Sequence, residues 1–178
     1  MIFKNQKNLP ARIELKYSAR NVEEKLRLTH KMISLKNILK GKVVMLCIGN
    51  IECGDDGAGP YFAKMIKDKV PYEIIDAGVA PENWTGVAVR LKPDTIIIVD
   101  AICFEGEPGD VRIFSGEDLR SGKISTHDVS PKLLIEYLKK STNADIHILG
   151  IKQESNKLGD GISPCVKSSL DNLVRMIM

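Results

Sequence analysis

Three apolar runs restrict this chain more than any other feature: VVMLCIG at 43–49, EIIDAG at 73–78 and DTIIIVDA at 94–101. The first and third do not alternate apolar with polar, so each predicts a strand covered on both faces. Between them, GPYFAKMIKDKV (59–70) reads as a helix with Pro60 in its first turn. PENWTGVAVRL (81–91) reads as a short helix or turn. Strand, helix, strand, helix, strand in that order predicts a parallel sheet with helices on both faces.

The remainder extends the same plan. The link EGEPG at 105–109 is too short for a crossover helix, so a strand at 110–114 is expected to run antiparallel at an edge. VSPKLLIEYLKKST (129–142) is a helix with Ser130 as N-cap and Pro131 at its first position. DIHILGIK (145–152) is a last core strand, and ISPCVKSSLDNLVRMIM (162–178) is a C-terminal helix, again with Ser-Pro at its start. The expected fold class is α/β: three layers, α/β/α, with a mostly parallel sheet of about five strands and one antiparallel edge strand.

At 178 residues the chain predicts one folded domain. Its charge is unevenly spread. Residues 1–42 carry 11 Lys/Arg against 3 Asp/Glu, a net +8, so the rest of this +3 chain is net −5. The expected organisation is a basic N-terminal extension, 1–42, helical from about residue 20, and a domain at 43–178. The extension lacks the aromatic interleaving that base stacking needs, so no nucleic-acid partner is expected; a helix packed on the domain, charges outward, is the favoured role. No apolar run approaches the ~20 residues that span a bilayer, and no secretory leader pattern is present, so no membrane insertion and a cytoplasmic location are expected. The four cysteines lack CxxC spacing and predict free thiols, Cys47 and Cys103 in or beside apolar strands.

In open parallel sheets, sites gather at the carboxyl ends of the strands. Asp55 and Asp56, in GNIECGDDGAG (49–59), follow the first strand. Asp76 ends the second and Asp100 the third. Three of these acids have a ready structural explanation. Asp55 or Asp56 could cap a helix, and Asp76 could build a turn. Asp100 closes the run IIIV with no helix to cap, and a charge there needs a partner. Of the three histidines, His30 reads as a surface residue and His147 as a structural position inside a strand. His127, in the loop STHD, is placed as a functional imidazole would be. Two carboxylates and one imidazole suit a borderline divalent ion such as nickel, zinc or iron.

GNIECGDDGAG, DAGVAPEN (76–83), IVDA (98–101) and STHD (125–128), in that order and spacing, resemble the nickel–iron hydrogenase maturation endopeptidases. The likeness is closest to the branch serving formate-hydrogenlyase-type hydrogenases, and covers roughly residues 42–178. It implies a phosphorylase/hydrolase-like fold and a peptidase that cuts a short C-terminal extension from the nickel-loaded precursor of a hydrogenase large subunit. By motif it implies Asp56, Asp100 and His127 as metal-binding and catalytic positions, with Asp76 as general base or loop-orienting residue. Nickel is then recognised in the substrate, the partner is the immature large subunit, and another divalent ion can take the site in the isolated protein. A monomer is the family default. Cys53, inside the first motif, is read as incidental, and no base is spaced to activate a Ser or Cys nucleophile.

Two other classes compete. A nickel or large-subunit binding chaperone without peptidase activity needs the same ligands. A dinucleotide-binding domain predicts a GxGxxG turn, but GNIECGDDGAG puts two negative charges where pyrophosphate would lie.

Overall fold

The computed structural model describes residues 35–115, 118 and 130–178. The chain runs β1 (Val43–Ile48), a 3-10 turn (Gly54–Gly57), α1 (Ala58–Ile66), β2 (Glu73–Gly78), α2 (Glu82–Arg90) and β3 (Thr95–Ile102), then β4 (Val111–Ser115), α3 (Ser130–Ser141), β5 (Asp145–Lys152) and α4 (Pro164–Ile177). One five-stranded sheet has the order β2-β1-β3-β5-β4. All its pairs are parallel except β4–β5, so β4 is the expected antiparallel edge.

The unbroken apolar runs have the meaning predicted for them. All six residues of β1 are buried, and alternate residues feed two separate cores. Val43, Met45 and Cys47 pack with Phe62 and Ile66 of α1 and with Val166, Leu170 and Leu173 of α4. Val44, Leu46 and Ile48 pack with Ala88 of α2 and with Leu134, Ile135 and Leu138 of α3. Leu35, on the helical residues 35–38, joins the first of these cores. The rest of the predicted N-terminal helix lies outside the described residues.

Element ends differ from the expectations in three places. The first helix stops at Ile66, short of residue 70, because Lys67 turns extended and Asp68 adopts φ 62°, a left-handed conformation that aspartate tolerates better than most residues. β3 continues past Asp100, since Ala101 and Ile102 pair with Ile151 and Lys152. Asp76 lies within β2 rather than at its end. The Ser-Pro start is seen in α4, where the Ser163 side chain accepts from Val166 N at 3.4 Å and Pro164 opens the helix. The capping role assigned to Ser130 falls outside the described side chains.

Gly59 brings α1 down onto the sheet. A Cβ there would collide with the carbonyl oxygen of Ile48 and lie 2.8 Å from that of Val99. These are backbone atoms of the two central strands and cannot swing aside. Gly59→Ala is expected to destabilise the fold by about 2–3 kcal/mol, typical of overpacking a core; an unchanged urea midpoint would contradict the close approach.

His147 is half-buried in β5. Burial lowers its pKa from the usual 6.5, with Asp145 pulling the other way. The folded chain therefore binds fewer protons than the unfolded one just below 6.5, and His147 costs stability as pH falls through that value toward its depressed folded pKa. His147→Gln is expected to remove this part of the acid sensitivity, seen as a smaller difference between denaturation midpoints above and below pH 6.5.

Candidate active site

Beyond β1 the chain leaves the sheet through Gly49, whose φ of 135° suits glycine alone. A Cβ at Gly49 would collide with the carbonyl oxygen of Asp56, so the turn folds back directly over the strand end. That turn, Gly54–Gly57, packs against β3. Consecutive side chains in a 3-10 turn point about 120° apart, so the two adjacent aspartates must face different surroundings.

They do. Asp55 is fully buried. Its carboxylate accepts from Glu154 N at 2.8 Å, Ser155 N at 3.1 Å, Ser163 N at 2.7 Å and Ser163 Oγ at 2.9 Å. The backbone adds to this join: Asp55 N donates to Ser155 O, Gly54 N to Asp160 O and Gly159 N to Glu52 O. The helix-capping role considered for this pair is therefore not the one Asp55 plays. No side chain caps the turn or α1 from the expected positions. Asp55 instead fastens the turn to the loop between β5 and α4, about a hundred residues away.

Asp56 is half-buried and accepts from Asn50 N at 2.7 Å through Oδ2. Asn50 also donates through Nδ2 to Cys53 Sγ at 3.3 Å, so Cys53 belongs to the turn's internal bonding. Asp100 is 8% exposed, on β3 beside β1. Strand register then separates the acids. Cys47 of β1 is level with Asp76 of β2 on one side and with Val99 of β3 on the other. Asp76 and Val99 therefore share a sheet face, and Asp100, one residue on, points to the other. Asp100 faces the α2/α3 layer with Ile98 and Ile102, whereas Asp76 lies exposed on the α1 side and accepts from Gly78 N at 3.3 Å.

His127 lies outside the described residues. In sequence it stands three positions before Ser130, where α3 begins, and α3 covers the face toward which Asp100 points. The described residues alone do not assemble three metal-ligating groups.

The thiols sit in different surroundings. Cys47 is buried, and burial together with the Asp76 charge pushes its pKa far above the usual range. Cys165 touches Glu154 Oε2 at 3.3 Å and Ser163 Oγ at 3.2 Å. Cys103 is half-buried rather than core, with Lys152 Nζ 3.6 Å away.

The model of the hydrogenase maturation protease family HycI matches residues 60–178, starting at the third residue of α1, just past the first motif's last glycine. The chain belongs to the hydrogenase maturation proteases. The Hydrogenase 3 maturation protease of Escherichia coli K12 is 36% identical over 114 residues, 62% of this chain and 72% of that protein. A NiFe hydrogenase maturation protease from Thermococcus kodakarensis KOD1 superposes with a TM-score of 0.73 at 31% identity, covering 81% of this chain and 96% of that one. The solution structure of an endopeptidase, HycI, from Escherichia coli gives 0.67 at 28% identity, over 77% and 89%.

This maturation protease is thus a hydrolase of peptide bonds with the fold of its relatives. None of its helices among the described residues is long and apolar enough to cross a membrane. The sequence puts Asp55 on the rim as a cap candidate but does not reveal its fastening role or its partners Ser163, Glu154 and Ser155. One signal was available: if one acid of an adjacent pair faces a site, the geometry of a tight turn sends the other elsewhere.

Proposed function

We propose that this protease removes a short C-terminal extension from the nickel-loaded precursor of a nickel–iron hydrogenase large subunit. The substrate's nickel serves as the recognition signal. The reading is supported by Asp56 in the turn that follows β1 and Asp100 near the carboxyl end of the neighbouring β3. Asp56 is braced there by its own turn, and Asp100 is directed toward the layer that His127 precedes in sequence. In this reading Asp56, Asp100 and His127 share the incoming nickel, a borderline ion suited to two carboxylates and an imidazole. Holding the ion holds the peptide bond near it, so a precursor without nickel is not positioned for cleavage. Water is the nucleophile. Asp76, on the opposite face of the sheet, then contacts the substrate chain or orients the loop after β2 rather than sharing the ion.

The test is incubation of the protease with nickel-loaded and nickel-free precursor, with product masses read by mass spectrometry. Loss of a C-terminal peptide only when nickel is present supports the proposal. Nickel-dependent binding without cleavage would replace it with a chaperone role, and cleavage indifferent to nickel would remove the recognition step.

A further inference from the structure

The groove between α1 and the outer strand β2 starts beside the acidic turn and is lined by Asp76, but by neither Asp56 nor Asp100. Its volume is about 510 Å³, and its walls include Ile51, Gly57, Pro60 and Ile162 at the end nearest the acidic turn. Ile74 and Asp76 of β2 line its side. Lys64 in the last turn of α1 and Lys67 just past its end, both exposed, line the far end. Because α1 runs back from the sheet's carboxyl end, this groove leads away from Asp56. Its mouth is apolar and open: Ile51, 72% exposed, stands there with Pro60 and Ile162.

We propose that this groove seats the substrate segment that follows the scissile bond, as an extended peptide with apolar residues at the mouth and acidic side chains at the lysine end. The inference rests on the peptidase reading above. Three features select that occupant. The groove begins at Gly57, next to the residue proposed to hold the nickel, so a chain cut there has its continuation at hand. The seven residues from Pro60 to Ile66 rise ~9 Å along the helix, just short of Lys67, about the span of three extended residues. The charge at the far end is two lysines, set against Asp76 nearer the mouth, which favours a negative group at the distal position. Asp76 lies where it can accept a backbone amide of that peptide, which gives a use to an acid that strand register turns away from Asp100.

The experiment uses the full chain and a short labelled peptide, apolar in its first half and carrying Glu in its second. Binding is read by fluorescence anisotropy, and precursor processing is followed separately. The Lys64→Glu/Lys67→Glu double variant changes only exposed positions, and its fold is checked by denaturation. The expected result is peptide binding weakened about tenfold or more in the double variant and by Glu→Gln in the peptide, with KM for the precursor raised and kcat retained. Equal binding by both proteins, no binding by the wild type, or an unchanged KM overturns the groove. Lysine-dependent peptide binding by a chain that leaves the precursor uncut would uphold the groove and discard the peptidase reading.

Discussion

Asp55→Ala is expected to cost about 3–5 kcal/mol of stability, the largest of the stability losses predicted for this protease. The carboxylate is fully buried and is the acceptor for three backbone N–H groups and one hydroxyl. Removing it leaves Glu154 N, Ser155 N and Ser163 N without this acceptor, and a buried donor left unsatisfied costs about 1–3 kcal/mol. The effect should not stay local, because those bonds join the turn after β1 to the loop before α4. Urea denaturation measures the loss. Asp55→Asn retains one acceptor oxygen and should fall between wild type and Ala. Ser163→Ala removes only the hydroxyl of this set, together with the cap of α4, and should cost about 1 kcal/mol. An Asp55→Ala protein within ~1 kcal/mol of wild type would mean that water replaces the carboxylate without loss, contrary to this account.

Asp56→Ala and Asp100→Ala should act in the opposite way, with modest changes in stability and a loss of processing of at least about a hundredfold. Even residues that only support a metal ligand cost 10–100-fold when removed, so direct ligands should cost no less. His127→Ala should match them if the three act as one site, and pairs of substitutions should then be far from additive. The readout is the rate at which the nickel-loaded precursor is shortened. Retained processing in either Asp variant would take that residue out of the proposed site. Asp76→Asn is the informative comparison. A rise in KM alone fits a substrate contact in the groove, whereas a fall in kcat with KM unchanged would restore it as a general base.

Much of this architecture was legible before any coordinates, for a physical reason. Uninterrupted runs such as TIIIVDAI have only one stable environment, between two layers, and the spacing between them admits helices but not hairpins. The short EPG link likewise forced an antiparallel strand. The roles of neighbouring acids were not legible. Asp55 and Asp56 are identical in chemistry and adjacent in sequence, yet one is a fully buried fastener and the other is half-buried, accepting from Asn50 N within its own turn. What separates them is a loop some hundred residues on, whose N–H groups happen to converge on Asp55.

Local pattern therefore specified the layers, the parallel strands, the family motifs and the rim on which the acids collect, because hydrophobic periodicity and turn chemistry act over a few residues. The face to which each acid turns was settled by long-range pairing. Cys47 had to come level with Asp76 and with Val99 before Asp76 and Asp100 could be assigned to opposite sides of the sheet. A slip of one residue in either pairing would bring both acids to the same side, and in strands buried on both faces little within a single strand records its register with the next.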